Sequence, residues 1–271
     1  MNSALPMQSI LDLNSGKFSR EIAVLPDSKG QLTTTTVNEN GLTDLLHYHE
    51  KLHLSFVLNG GIIDKRQTSE TERVSGELMF FHAGEPHQTI YKLFPTTNIN
   101  LELSNFLFSE KPIDEATLKN SVTKNPKAKF VLLKIYKELL ILDEFSNCSI
   151  EMLLMNLFEN ENTTKSSHPD WLKTVLELLN DNWNEPFSLK DLAKVANVYP
   201  TTISKYFPKY LSCTLGEYRR RLKIEKSLGF IKTPAFSLTE IAYQCGFADQ
   251  SHFTRTFKQM TNFLPSDYEA L

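Results

Sequence analysis

Cysteine is scarce in this chain. The three residues, Cys148, Cys213 and Cys245, are odd in number, far apart and in no CxxC arrangement. Neither a disulfide framework nor a cysteine-based zinc site is supported, and all three are expected as small buried side chains. Long apolar runs are missing too. No stretch approaches roughly eighteen consecutive apolar residues, the length of a membrane-spanning helix, and Met1–Ile10 has neither a basic start nor a long apolar segment. A soluble cytoplasmic protein with no membrane partner is expected. The N-terminal part also lacks a nucleophile–base pair and a phosphate-binding loop, which speaks against catalysis there. What the chain does have is size: 271 residues, 41% of them hydrophobic, can build a core in each of two ordinary domains.

Positive charge is short overall but concentrated locally. The formal net charge is −3, an unpromising value for a nucleic-acid binder. Phe187–Thr261, however, holds twelve Lys and Arg against five Asp and Glu, a surplus of about seven, so the remainder carries about ten net negative charges. That asymmetry fits an acidic sensing part joined to a DNA-binding part.

The hydrophobic pattern divides the chain in the same way. Up to about Ser104 it predicts short strands, Leu52–Leu58, Glu77–Phe81, His87–Phe94 and Ile99–Leu103, broken by Gly60-Gly61, Gly76 and Pro86. In the last of these, Ile99, Leu101 and Leu103 alternate with Asn100, Glu102 and Ser104, as in a half-buried strand. From Asp114 the pattern is helical. Phe130–Leu142 and Ile150–Phe158 are more apolar than one core-facing stripe needs, so their excess surface calls for a partner or for packing on the protomer's own sheet. Glu159–His168 is polar and aperiodic, which suits a linker. Beyond Pro169 the spacing predicts short helices at Trp171–Asp181, Leu189–Ala196, Pro200–Phe207, Leu215–Phe230, Leu238–Cys245, Gln250–Met260 and Ser266–Ala270, with Pro186, Pro208, Pro234 and Pro265 at starts or stops. The expected organisation is a β-domain over 1–110, a helical dimerisation or connecting segment over 111–160, a linker over 161–169 and an all-α domain over 170–271.

An internal repeat lies in the basic, helical part. Leu189, Leu192, Ala193 and Val198 recur as Leu238, Ile241, Ala242 and Phe247 at an offset of 49, and Ile203 and Phe207 recur as Phe253 and Phe257 at an offset of 50. A small Ala where two helices touch, large apolar residues on inward faces and a turn between them are what a helix-turn-helix unit requires. Four positions after each Ala stand Asn197 and Gly246, residue types that enter the left-handed conformation cheaply and so can end one helix and redirect the chain.

Here the sequence resembles the AraC/XylS family of transcription regulators. The second unit carries the resemblance most clearly, in Ile241-Ala-Tyr-Gln-Cys-Gly-Phe247-Ala-Asp249-Gln-Ser251-His-Phe253-Thr-Arg255-Thr-Phe257-Lys258 followed by Pro265 and Tyr268, and the match extends over about 175–269. Ser212 and Thr261 stand where the family usually has glycine, Glu269 where it usually has arginine, and Pro208 directly follows the first recognition helix. The resemblance implies two recognition helices joined by one rigid linker helix and entering successive major-groove segments of double-stranded DNA about 34 Å apart. The positions matching base-contacting sites are Thr201, Ser204 and Lys205, with Thr202 beside them, and Gln250, Ser251 and Arg255, flanked by His252 and Thr254. Arg255 or Lys205 suits guanine and Gln250 adenine. Arg255 also has an alternative reading as an intradomain or phosphate-binding residue. Arg219-Arg220-Arg221 and Lys223 fall on the linker helix, as phosphate contacts or as a solvated face spread around the helix surface.

Five of the seven histidines fall between 47 and 87. Gly41-x5-His47-x-His49-x3-His53-x6-Gly60 and Gly76-x5-His82-x-Gly84-x2-His87 resemble the two cupin motifs, with His53 in place of the usual glutamate and His82 in place of the usual proline. The fold this implies is a cupin-like β-barrel. Residues two apart on a strand share a face, so His47 and His49, and His53 if the strand runs on, can converge on the interior, with His87 joining from a neighbouring strand. Three readings stand for this cluster: a divalent transition-metal site, a structural role, or direct contact with a small-molecule effector. No cofactor is otherwise implied.

These features together predict a sequence-specific transcription regulator. It is expected to be non-enzymatic, an activator by family resemblance, controlled by an effector in the barrel, homodimeric and in contact with RNA polymerase. A metal-dependent cupin enzyme carrying a DNA-binding tail is the main alternative, and a sequence-neutral architectural DNA binder is a third.

Overall fold

The fold is described from a computed structural model, which places residues 11–13, 21–27, 30–37, 43–103, 115–141, 143–158 and 168–271. The expected linker lies outside these residues, apart from His168 and Pro169. Contacts group the chain into two compact units, Met1–Glu159 and Asn160–Leu271.

Among the described residues the first unit holds eight strands: β1 (Leu11–Leu13), β2 (Glu21–Asp27), β3 (Gly30–Val37), β4 (His47–His49), β5 (His53–Arg66), β6 (Glu70–Val74), β7 (Leu78–Phe81) and β8 (His87–Leu103). They form one sheet, antiparallel except for the β1–β4 pair. β8 runs through its middle, pairing with β3, β4 and β5.

Two predicted strand breaks are absent. β5 passes through Gly60-Gly61, and β8 joins the segments predicted as two strands, crossing Phe94-Pro95. Irregularity replaces interruption. The β5–β8 register shifts at Val57/Asn59, Asn59/Gly61 and Gly61/Ile62, so the residues facing inward switch from His53 and Ser55 to Ile62 on β5, and from His87, Thr89 and Tyr91 to Asn98 and Asn100 on β8. Bulges of this kind keep the ladder while re-aiming side chains. Gly60 is required there: its φ is +78°, and a Cβ would sit 2.4 Å from the Leu93 carbonyl oxygen. Expected as half-buried, Ile99–Leu103 is buried on both faces. Leu54, Phe56, Ile99, Leu101 and Leu103 fill one side, while Asn98, Asn100 and Glu102 are enclosed on the other. Ser55 Oγ donates to Asn100 Oδ1 at 2.8 Å, and Lys51 pairs with Glu102 at 3.1 Å.

Three helices follow: α1 (Glu115–Lys124), α2 (Ala128–Ile141) and α3 (Ser146–Phe158). α2 buries Phe130, Leu133, Ile135 and Leu139 among others, and packs on α3, but Leu140, Ile141, Phe145, Met152 and Met155 stay exposed.

The second unit holds α4 (Asp170–Asp181), α5 (Leu189–Val195), α6 (Pro200–Leu211), α7 (Leu215–Ile231), α8 (Leu238–Gln244), α9 (Gln250–Thr261) and α10 (Pro265–Ala270). Leu172, Val175 and Leu179 of α4 form a buried stripe against Leu192, Ala193, Ile203, Phe207 and Leu222. Capping boxes start α5 (Ser188 with Asp191), α7 (Thr214 with Glu217) and α8 (Ser237 with Glu240). The boxes of α5 and α8 share the repeat's first offset and so extend it. Pro208, expected to end the first recognition helix, lies inside α6, which runs on to Leu211. Its missing N–H forfeits one helical bond, but packing on both sides holds the helix: Phe207 is fully buried, Tyr210 and Leu211 join the same core, and Ser212 N–H donates to the Pro208 carbonyl. The cysteines are also corrected, since only Cys245 is buried, whereas Cys213 is partly exposed and Cys148 exposed.

Candidate nucleic-acid interface and interior histidine site

The two turns form as their residues predict. Asn197 has φ +52° and Gly246 φ +70°, and Val198 and Phe247 each donate a backbone bond to the carbonyl of the small residue before the turn, Ala193 and Ala242. A second pair of left-handed residues ends the recognition helices, Ser212 (φ +51°) and Asn262 (φ +66°). The site where the family usually has glycine is therefore Asn262 in the second unit, one residue beyond Thr261, consistent with the repeat's longer offset. Thr261 is instead buried and bonds Phe257 and Phe263 through its hydroxyl.

On α6, Ile203 and Phe207 face the core while Thr201, Ser204 and Lys205 are exposed and Thr202 is half-buried. Ser204 Oγ donates back to the Thr201 carbonyl at 3.2 Å. Tyr206, not singled out from the sequence, is exposed between Lys205 and Lys209, whose Nζ atoms lie 5.4 and 5.1 Å from its ring centre. On α9, Phe253 and Phe257 face inward, and Gln250, Ser251, His252 and Arg255 are exposed with Thr254 half-buried. Gln250, Ser251, Thr254, Arg255 and Lys258 line one shallow surface hollow. Lys258 escapes the sequence reading, although the helical spacing 251, 254, 255, 258 contains it. Gln250 is already oriented, since Thr239 Oγ1 donates to its Oε1 at 2.6 Å. The His252 ring stands edge-on to Phe247.

The helix starts differ. Asp249 caps α9, accepting from His252 N–H at 2.7 Å. Tyr199, at the N-cap of α6, gives no side-chain cap, and Pro200 supplies a preset φ instead.

The basic run on α7 is mostly committed within the unit rather than spread around its surface. Arg219 donates to the carbonyls of Phe187 at 2.9 Å and Glu185 at 2.7 Å. Arg221 is buried, 4.8 Å from the Tyr218 ring centre and in contact with Cys213 Sγ. Lys223 donates to the Gly246 carbonyl and lies over Phe247, fastening the second turn to the linker helix; burial lowers its pKa. Arg220 alone of the four is exposed.

In the β-domain, His47, His49, His53 and His87 are all buried. β4 carries His47 and His49 and then stops, so His53 arrives as the first residue of β5, after a turn, rather than by extension of the same strand. His47 lies opposite His87 in the β4–β8 register. Ring centres are 4.4 Å apart for His47–His87, 5.1 Å for His47–His49 and 4.3 Å for His49–His53. One nitrogen from each of His47, His49 and His87 lies within 4.8 Å of the others. His53 stacks on Phe81 at 4.6 Å. Burial, then the neighbouring His49 and His87, holds His53 well below the ordinary imidazole value, and burial, then His47, presses His87 down to about 4. Both are neutral at neutral pH. His82, in the second motif, is elsewhere, its Nδ1 2.8 Å from Glu115 at the start of α1. Asp44, missed from the sequence, lines the same interior cavity as the histidines and accepts from the Tyr91 hydroxyl at 2.9 Å.

Two helix-turn-helix units on a shared linker helix, each with a polar outer face, define a DNA-binding protein. Residues 192–270 match a family model described as a helix-turn-helix domain. A curated relative, the uncharacterised HTH-type transcriptional regulator YdeC of Bacillus subtilis (strain 168), is 24% identical over 263 residues, covering 88% of this chain and 90% of that protein. The transcriptional activator RhrA of Rhizobium meliloti (strain 1021) is 38% identical over 90 residues, 32% of this chain and 28% of that one. Among solved structures, ToxT from Vibrio cholerae O395 aligns over 90% of this chain and 98% of its own at 16% identity, with a TM-score of 0.37. The helical unit thus carries a helix-turn-helix domain of the kind found in transcription regulators, to which the chain is similar.

Proposed function

We propose that this regulator reads two successive major-groove segments, with Thr201, Thr202, Ser204 and Lys205 on α6 and Gln250, Ser251, His252, Thr254 and Arg255 on α9, under control of a small effector bound in the β-domain. The carrying observation is the pair of recognition helices whose apolar sides are locked into the core while these polar residues face outward. It acts as a regulator without enzymatic activity, in the cytoplasm; among the described residues no helix is long and apolar enough to cross a membrane. The direction of control is activation, supported by the activator RhrA, which requires contact with RNA polymerase. Two copies bind together through the exposed apolar residues of α2 and α3.

Base reading by Arg255 is tested by Arg255→Ala on a duplex selected from a random library. The expected result is a loss of about 1–3 kcal/mol together with relaxed preference at one base pair. A uniform loss across all sequences, with only a shallower salt dependence, makes Arg255 a phosphate contact instead. Footprinting is expected to show two protected major-groove segments per protomer.

A further inference from the structure

We propose that the ligand sensed by the β-domain is a late first-row divalent metal ion, held by the imidazoles of His47, His49 and His87. The inference rests on the reading of this domain as the sensory part of the regulator.

The rings are oriented for it. His47 Nδ1 is 2.8 Å from the Leu45 carbonyl oxygen and His87 Nδ1 is 3.0 Å from that of Glu85. A carbonyl can only accept, so Nδ1 carries the proton in both rings and Nε2 presents its lone pair for coordination. Outer-sphere carbonyls do this for metal-binding histidines, fixing tautomer and ring angle together. One ring nitrogen from each of the three lies within 4.8 Å of the others. Tetrahedral ligation at the usual metal–nitrogen distance brings such atoms to about 3.3 Å, a closure that small side-chain rotations supply.

At the histidine cavity, size selects an ion over an organic molecule. The interior cavity that the histidines share with Asp44, Ser55, Tyr91, Asn98 and Asn100 has a volume of about 30 Å³. One water needs roughly 10–15 Å³ of such space, whereas pockets for organic ligands run to roughly 300–1,000 Å³. An ion with one small exogenous ligand fits, and a sugar or amino acid does not. The donor set then narrows the ion: imidazoles select zinc, copper, nickel or iron over magnesium and calcium, and the Asp44 carboxylate in the cavity wall offsets part of the ion's charge.

A bound ion also has a route outward. His47 and His87 face each other across β4 and β8, so shared ligation staples the short strand to the long one. Glu85, whose carbonyl orients His87, accepts from Arg66 at 2.9 Å and from the His82 backbone N–H at 3.0 Å, and the His82 side chain reaches Glu115 on α1. The rings are thereby linked to the first helix of the unit.

The test uses the full-length protein, stripped with a chelator and titrated with Co²⁺. Expected are ligand-field bands of tetrahedral or five-coordinate cobalt that saturate at one equivalent and disappear on adding Zn²⁺. His49→Ala is expected to weaken binding by at least about 100-fold, whereas His252→Ala, on the DNA-facing helix, should titrate as the wild type does. Loss of the bands in His252→Ala, or absence of saturable bands in the wild type, overturns the site. Should His49→Ala fold poorly, the wild-type spectrum and a Zn²⁺-dependent rise in melting temperature of roughly 5–10 °C decide the matter. Affinity for the selected duplex, measured with and without Zn²⁺, is expected to differ at least about 5-fold. An unchanged affinity despite stoichiometric binding overturns the sensory role. Failure to select any preferred duplex overturns the regulator reading instead, leaving the cobalt titration to judge the site.

Discussion

Gly246 shows how much one residue carries. Its φ of +70° is strained for any side chain, and an added Cβ would lie 2.6 Å from the Asn184 carbonyl oxygen and 2.9 Å from Lys223 Nζ. Gly246→Ala is therefore expected to cost about 2–3 kcal/mol of stability in urea unfolding; a loss under about 0.5 kcal/mol would mean that the turn relaxes without strain. The arginines of α7 separate by their partners. Arg219→Ala removes two hydrogen bonds, leaving the Phe187 carbonyl without this donor while that of Glu185 still accepts from the Phe187 N–H, and about 1–2 kcal/mol of stability should be lost. Arg220→Ala should leave stability within about 0.5 kcal/mol and, where its side chain meets phosphate, lower the salt slope of DNA binding by about one. The reverse pattern in paired denaturation and salt titrations would reassign both residues. None of this division is readable from three consecutive arginines, because spacing alone gives the direction around a helix but not what stands opposite.

At the scale of the element, α6 is the informative case. The sequence predicts a stop at Pro208, and the helix instead continues to Leu211. A proline inside a helix costs about 3 kcal/mol relative to alanine, partly offset by about 0.4–1 kcal/mol of lost unfolded-chain entropy. With part of that cost already relieved by packing around the ring, Pro208→Ala is expected to stabilise the second unit by about 1–2 kcal/mol, read as a higher urea midpoint at unchanged slope. No gain would indicate that α6 has fully adapted its backbone to the proline. α9 lacks such a defect and adds an aspartate cap, so the two recognition helices differ in how firmly they are set. β5 and β8 depart from local punctuation in a similar way. Glycine and proline mark strand ends in sequence, yet here paired irregularities on neighbouring strands let both continue while the inward-facing set changes parity.

For the molecule as a whole, Leu140, Ile141, Phe145, Met152 and Met155, on α2, α3 and the turn between them, are large apolar residues left exposed. With Phe145→Glu and Met152→Glu together, a dimer in analytical ultracentrifugation at micromolar concentration is expected to become monomeric while each unit keeps its helicity. A wild-type protein already monomeric at that concentration would remove the dimer. The sequence by itself determined the division into an acidic β part and a basic helical part, the two helix-turn-helix units, their left-handed turn residues and the positions that face outward. These follow from local periodicity and backbone preference, which act over a few residues. Only the tertiary structure decided that His53 joins the cluster from a separate strand, that Asp44 shares its cavity, that Arg219, Arg221 and Lys223 bind their own unit, and that the cavity beside the histidines is only about 30 Å³. Each of these depends on which segments distant in sequence are brought together, and on how closely, and no local pattern encodes that.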